Sequence, residues 1–342
     1  MRIVIDDKIP YIREAISRLT DDAVYIKGAE IAPEDVRDAD ALIVRTRTKC
    51  DERLLGGSRV RFVATATIGF DHIDADYMRR AGISWMSCPG CNAGSVAQYV
   101  EAVLLLLRRD KGMALDRMTL GVVGCGHVGT KVVAVAERLG MRVLVCDPPR
   151  QERGDGTGFV GMRQIEEECD VVTFHVPLMG EGPHPTFHLA DRAFFGRLGR
   201  RPTVINTSRG AVVDNAALVD AMASGKVADA VVDTWEHEPR INTQLLRSAW
   251  IATPHIAGYS ADGKVNADNM VIAGLCRHFG LDVPFTIVPP SLPEGFTPSP
   301  DPDELRLQLY NPLDDTARLK AAPEDFEALR GNYPLRREVA RI

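Results

Sequence analysis

Three side chains, Arg209, Glu238 and His255, are the residues of this chain best suited to handle an anion and a proton together. Each comes just after a short β-branched run. Arg209 comes after Val204–Asn206 in Asn-Thr-Ser-Arg-Gly-Ala, Glu238 after Ala230–Val232 in Asp-Thr-Trp-Glu-His-Glu-Pro, and His255 after Ile251–Thr253 in Pro-His-Ile-Ala-Gly. A guanidinium in a glycine-adjacent loop can grip a carboxylate through two parallel hydrogen bonds. Imidazole exchanges its proton near neutral pH, and a neighbouring carboxylate orients the ring and favours its charged form. Together they suit oxidation of an alcohol, in which a base takes the hydroxyl proton as hydride leaves the same carbon, and the reverse reduction. Each residue has a plainer reading as a surface arginine, a solvated loop acid or a structural histidine, so the set weighs more than its members.

Upstream, Gly124-Cys-Gly126-His127-Val128-Gly129 stands directly after the apolar run Leu120–Val123 and opens a helical pattern from Val128 to Leu139. In that context Gly124 makes a tight turn, Gly126 admits a diphosphate close to the backbone, and Gly129 lets helix and strand pack. The next β-branched run ends in Cys146-Asp147, and an acidic residue about twenty positions after the glycines is placed to bind a ribose diol. A carboxylate there repels a 2′-phosphate, so NAD is favoured over NADP, with Arg150 nearby not placed to reverse this.

Other residues carry weaker signals. Arg45, Arg47 and Lys49 alternate after Ala41–Val44, and a continued extended segment would present them on one face as a phosphate collar; a solvated basic turn is the alternative. Thr65 and Thr67 flank a Gly69-containing loop whose amides could cradle an anion. His175 either borders the cofactor or caps its strand. Cys88-Pro-Gly-Cys91 has redox spacing, but without a second Cys or His pair it reads as a structural turn, and no metal site is expected.

The elements that must position these residues alternate between β-branched runs and helical patterns, which defines an α/β chain. Strands near Arg2–Ile5, Ala41–Val44, Arg61–Thr65 and Ile83–Ser87, with a helix from Tyr11 to Leu19, give one open sheet. Gly94–Arg109 is a long helix leading into a second series, Leu120–Val123, Val143–Cys146, Val171–Phe174, Val204–Asn206, Ala230–Val232 and Ile251–Thr253, which suits a dinucleotide-binding sheet. The helical pattern Ala261–Phe279 gives way to a proline-dense stretch from Val288, read as a linker. With 342 residues, 45% hydrophobic, the chain can bury a large core. A net charge of −6 argues against a nucleic-acid or membrane surface, no apolar run approaches the roughly 18 residues of a membrane helix, and seven scattered cysteines suit reduced thiols in the cytoplasm.

Through Gly124-x-Gly-x-x-Gly129, Asn206-Thr-Ser-Arg209-Gly-Ala, Asp233-Thr-Trp-Glu-His-Glu238-Pro and Pro254-His255-Ile-Ala-Gly, the chain resembles the D-2-hydroxyacid dehydrogenase family over residues 1 to about 285. The resemblance implies that Arg209 binds the substrate carboxylate, that His255 is the acid/base and that Glu238 pairs with it. It implies a Rossmann-type doubly wound cofactor domain at 93–256, a flavodoxin-like substrate domain at 1–92 and 257–285, and a linker with a small C-terminal α+β dimerisation domain at 286–342, in a homodimer. It also implies NAD contacts from Gly124, Gly126, His127, Val128, Gly129, Asp147, Val176, Thr207, Ser208, Asp233 and Gly258. Narrower stretches, Val44-Arg45-Thr46-Arg-Thr-Lys, Ala64-Thr65-Ala-Thr67-Ile-Gly69, Cys146-Asp147-Pro-Pro-Arg and Asn332-Tyr-Pro-Leu-Arg-Arg337-Glu, are similar to the branch of the family that oxidises a four-carbon, 4-phosphorylated hydroxy acid on the way to vitamin B6. That implies substrate contacts from Arg45, Thr46, Thr67 and Tyr259. A phosphoglycerate or hydroxypyruvate specificity, and a non-enzymatic NAD-sensing corepressor on the same fold, remain open at this point.

Overall fold

Short runs of apolar and β-branched residues, the central ones buried on both faces, build two parallel sheets in the computed structural model, which describes residues 1–156 and 158–338. The first sheet contains β1 (Ile3–Asp6), β2 (Ala23–Ile26), β3 (Ala41–Val44), β4 (Phe62–Thr65) and β5 (Ser84–Met86), in the order β2-β1-β3-β4-β5. That is the flavodoxin-like order. Strands β1, β3 and β4 are fully buried. Strand β2 is a half-buried edge, and its Ala-Val-Tyr-Ile stands among the polar residues Asp21, Asp22 and Lys27, which is why the sequence reading places no strand there. The helix Ala261–Phe279 returns to this sheet and approaches β5 at Gly274, where a Cβ would strike Met86 Sδ. Residues 1–92 and 260–294 form this body.

The second body holds Ala93–Tyr259 and, of the described residues, Gly295–Glu338. Its sheet contains β6 (Thr119–Val123), β7 (Arg142–Cys146), β8 (Val171–Phe174), β9 (Thr203–Asn206), β10 (Asp229–Val232) and β11 (Ile251–Ala252), in the order β11-β10-β9-β8-β6-β7. All six match runs read from the sequence. Beyond β7 a single bridge, Val145 to Phe159, continues the sheet. Strand order reverses at β6, which pairs with β7 on one side and β8 on the other. A doubly wound sheet opens its ligand crevice at such a point, outside the carboxyl ends of the strands. The helix Ala93–Lys111, buried along most of its length, joins the helix His127–Arg138 on one face.

The tail departs from the expected α+β arm. It is helical over Pro302–Leu309, Pro312–Ala321 and Phe326–Gly331. Leu307 and Tyr310 enter the core that contains Ala93–Lys111, and Leu319 and Phe326 enter the core on the other face of the sheet. The helix Pro312–Ala321 lies at β11, where Thr316 Oγ1 accepts from the Ala252 amide at 3.0 Å and Lys320 Nζ donates to the Ala249 carbonyl at 2.5 Å. Edge strands with open amides invite foreign pairing, and this helix covers the edge. The prolines mark where the chain crosses from one body to the other, but the residues after them bury apolar side chains and are no loosely tethered arm.

Phe326 is fully buried, and truncating such a side chain removes apolar contact and leaves a cavity. Phe326→Ala is expected to lower unfolding stability by about 3–4 kcal/mol in urea titration; a change under about 1 kcal/mol would show that the tail adds little to the core.

Candidate active site

The glycine-rich loop leaves β6 at the reversal point. Gly124 has φ +89°, and a Cβ there would meet the His175 carbonyl oxygen at 2.6 Å and Val176 Cγ1 at 2.7 Å. The loop is thus pressed against the segment leaving β8. A Cβ on Gly129 would strike the Gly124 carbonyl oxygen, whereas one on Gly126 meets nothing within 4 Å. Gly126 also caps the helix His127–Arg138 without any side chain on the first-turn amides, those of His127 and Val128 included. Free amides, the positive end of a helix dipole and an open backbone fit a diphosphate. Asp147 stands at the mouth of this loop, accepting from the Cys125 amide at 2.8 Å and the Arg150 amide at 3.0 Å. The Arg150 guanidinium is held by the carbonyls of Cys125 at 2.5 Å and Asp155 at 3.0 Å. After β9, Ser208 bonds Asn206 Oδ1 through its amide and hydroxyl, while Thr207 Oγ1 is buried without a partner, a hydroxyl that a ligand can answer. His175 caps its strand: Nε2 meets Thr173 Oγ1 at 3.0 Å and burial pushes the ring down to about 3.

Arg209, Glu238 and His255 lie on loops after β9, β10 and β11 of one sheet. Gly210 brings the first two loops into contact, since any Cβ there would overlap the Trp235 carbonyl. Arg209 bonds the Ser208 carbonyl at 2.9 Å and makes no ion pair among the described residues. Glu238 is fixed by the Trp235 amide at 2.9 Å and takes His255 Nδ1 with both oxygens, at 2.8 and 3.0 Å. Burial raises the Glu238 pKa, but the hydrogen bond and charge of His255, the Trp235 amide and Arg330 outweigh it and leave the carboxyl below its ordinary value.

His255 occupies the left-handed region at φ +57°, a conformation that a non-glycine residue keeps only when its surroundings impose it. Asp233, at the end of β10, imposes it. Its carbonyl accepts from the His255 amide at 2.8 Å, and its buried carboxylate accepts from the Ile256 amide at 2.7 Å, the Ala257 amide at 3.0 Å and Thr253 Oγ1 at 2.7 Å. Burial raises the Asp233 pKa, against these bonds and the nearby His255. Gly258 and Tyr259 continue the same loop.

Two tail residues that motif spacing does not reveal complete the arrangement. Arg336 is buried and donates to the carbonyls of Ile256 at 3.0 Å, Ala257 at 2.5 Å and Tyr259 at 2.9 Å, with further bonds to the Ser95 carbonyl and Gln98 Oε1. Arg330 Nη1 lies 3.5 Å from Glu238 Oε2. Arg336 lies in the Asn332–Glu338 stretch that carries the family-branch resemblance, whereas Arg330 is a lone arginine on a short helix.

In the first body, Arg45, Thr46 and Thr67 come after β3 and β4. The chain turns immediately after Val44, so the extended continuation expected to align Arg45, Arg47 and Lys49 does not form, and Lys49 instead pairs with Asp51 at 3.2 Å. Arg45 is half-buried and reaches the Lys8 carbonyl at 3.2 Å; Thr46 is exposed. Thr67 Oγ1 donates to the Gly69 carbonyl at 2.9 Å and meets Thr65 Oγ1, which meets His72 Nε2 at 3.0 Å. Burial lowers the His72 pKa. Cys88 and Cys91 are buried free thiols with pKa values raised by burial, and Cys88 Sγ bonds the carbonyls of Thr65 and Ala267, so the pair is a structural turn.

At the switch point a glycine-rich loop with open amides stands on the same sheet as a histidine–carboxylate pair and an arginine on adjoining strand ends. Residues 101–257 match the model of the D-isomer specific 2-hydroxyacid dehydrogenase NAD-binding domain. The chain is 52% identical to an erythronate-4-phosphate dehydrogenase of Bacteroides thetaiotaomicron over 99% of its own length and 97% of that protein's. Among solved structures it resembles NAD-bound 3-phosphoglycerate dehydrogenase of Entamoeba histolytica (TM-score 0.69, 27% identity, 84% of this chain and 98% of that one). It also resembles Aquifex aeolicus D-lactate dehydrogenase with NAD and lactic acid (TM-score 0.67, 26% identity, 82% and 96%). The chain belongs to the D-isomer specific 2-hydroxyacid dehydrogenases. Its activity is NAD-dependent 2-hydroxyacid oxidoreduction.

Asp147→Ser keeps a side chain able to cap the helix Pro148–Arg153 and removes the charge facing a 2′-phosphate. The ratio of kcat/KM for NADP over NAD is expected to rise by about tenfold or more, equivalent to roughly 1.4 kcal/mol or more. An unchanged ratio would show that Asp147 does not face the ribose.

Proposed function

We propose that this enzyme oxidises 4-phospho-D-erythronate at C2 to 2-oxo-3-hydroxy-4-phosphobutanoate, a step towards vitamin B6, as a cytoplasmic homodimer. The observation that carries the chemistry is the grip of Glu238 on His255 Nδ1. It leaves Nε2, which has no partner among the described residues, to take the hydroxyl proton. Arg209 holds the C1 carboxylate and polarises the reacting carbon. Bound NAD supplies the hydride acceptor. Gly124, Gly126, Gly129 and the amides of His127 and Val128 hold its diphosphate, Asp147 its ribose, and Val176, Thr207, Ser208, Asp233 and Gly258 its remaining surface. The imidazolium formed as the proton moves is stabilised by Glu238 and by the buried Asp233.

The choice of substrate rests on the extensive identity to erythronate-4-phosphate dehydrogenases and on basic and hydroxyl groups beyond those the reacting end requires. In the second body Arg209 and Tyr259 are assigned to the substrate, and in the first body Arg45, Thr46 and Thr67 are, with Arg45 and Thr46 taken as the phosphate contacts. The homodimer is checked by light scattering of the full chain, where a monomer mass would remove it.

His255→Ala is expected to lower kcat by about 10²–10⁴-fold with NAD affinity retained, since no cofactor-loop residue changes. Near-parental turnover would remove His255 as the base. Glu238→Gln removes the charge that favours imidazolium, so the acidic limb of kcat/KM for oxidation is expected to move to lower pH; a fixed limb would take Glu238 out of the proton balance.

Losing a charge-assisted phosphate contact costs on the order of 2–5 kcal/mol. Unphosphorylated erythronate is therefore expected to show kcat/KM lower by about tens to thousands of times. Arg45→Ala should remove most of that difference while leaving the weak activity on erythronate nearly unchanged. Equal kcat/KM for the two acids in the parent enzyme would overturn the phosphate assignment.

A further inference from the structure

Glu238 Oε2 is shared. It accepts from His255 Nδ1 at 2.8 Å and faces Arg330 Nη1 at 3.5 Å. Arg330 comes from the tail helix Phe326–Gly331, whose first residue is fully buried in the core. Its guanidinium also lies beside the Tyr259 side chain. Three-quarters of the Arg330 side chain is shielded from solvent, so its charge acts at short range with little screening.

The charged and titratable groups around the pair come from three places. The loops after β10 and β11 supply Asp233, Glu238 and Tyr259; the tail helix supplies Arg330, with Glu327 beside it; and the next segment supplies Arg336 and Tyr333, of which Arg336 holds the loop carbonyls and Tyr333 meets Arg336. Two carboxylates, Asp233 and Glu238, act on a single imidazole, and both favour its protonated form. A base that is already protonated cannot accept the substrate hydroxyl proton. Arg330 is the cation in direct contact with that carboxylate pair's less buried member.

We propose that Arg330 is a positioning residue of the 2-hydroxyacid oxidation, a tail-borne cation that holds the Glu238 carboxylate on His255 and offsets its charge so that the imidazole stays a working base. It acts through Glu238 and touches no reacting atom. The proposal rests on the reading of His255 as the base, and the test separates the two.

The full-length enzyme is assayed with saturating NAD and 4-phospho-D-erythronate, and kcat/KM for oxidation is measured against pH for the parent, R330Q, R330K, E238Q and H255A. With one positive charge removed from beside the carboxylate that grips the ring, R330Q is expected to move the acidic limb up by about half to one pH unit. E238Q moves it down, and R330K restores the parental limb even where kcat stays reduced. If R330Q does not yield folded protein, R330M replaces it. A limb that stays in place in the charge-removing variant, or one that R330K fails to restore, overturns the proposal while H255A remains inactive. Turnover in H255A would instead overturn the assignment of the base, and this proposal with it.

Discussion

A loop that turns through the left-handed region at His255 pairs only some of its own peptide groups, and much of the second body is arranged around satisfying the others. Unpaired buried amides and carbonyls each cost free energy comparable to a lost hydrogen bond. The amides of residues 256 and 257 go to the Asp233 carboxylate, and the carbonyls of 256, 257 and 259 go to the Arg336 guanidinium. Two buried charges of opposite sign thus serve the two sides of one loop. Burying either alone would cost several kcal/mol. Each is tolerated because its hydrogen-bonding capacity is filled by backbone dipoles, with Thr253, Ser95 and Gln98 taking what remains.

The same logic explains the division between the cofactor half and the acid–base half of the site. The glycine-rich loop leaves amides open at a helix start, which suits an anionic ligand that supplies the missing acceptors. The 255–259 loop has its amides and carbonyls answered from within the protein, which suits a ring that must hold one orientation through a proton transfer. Asp147 belongs with the first kind: its carboxylate braces the loop through the Cys125 amide, so the residue proposed to meet the ribose also shapes the glycine-rich backbone.

Much of this was legible in the chain. Most strands of the second sheet announce themselves because parallel strands buried on both faces read as continuous apolar runs, and loops at strand carboxyl ends carry Arg209, Glu238 and His255. The meeting of Glu238 with His255 is a consequence of adjacent strand ends. Strand β2 escaped because a half-buried edge needs only four weakly patterned residues among charges. The basic alternation at Arg45–Lys49 misled because alternation predicts one face only while the strand lasts, and the strand ends at Val44. What Arg336 holds was hidden for a deeper reason: most of its partners are main-chain carbonyls, which have no sequence identity, so the tail stretch that contains it does not reveal its task. The proline-dense stretch concealed the tail's packing, since prolines report a segment without regular structure and carry no information about how the residues beyond it are buried.

Arg336 lies 80 positions downstream of the first loop carbonyl it holds. While the chain is being synthesised, β11 and the His255 turn therefore leave the ribosome long before the guanidinium that satisfies them. Until then the turn has its amides answered by Asp233 and its carbonyls facing water, so the nascent chain can form its cofactor sheet and still lack a settled histidine. The His255 turn is thereby settled late in synthesis, after the sheet that carries it has formed.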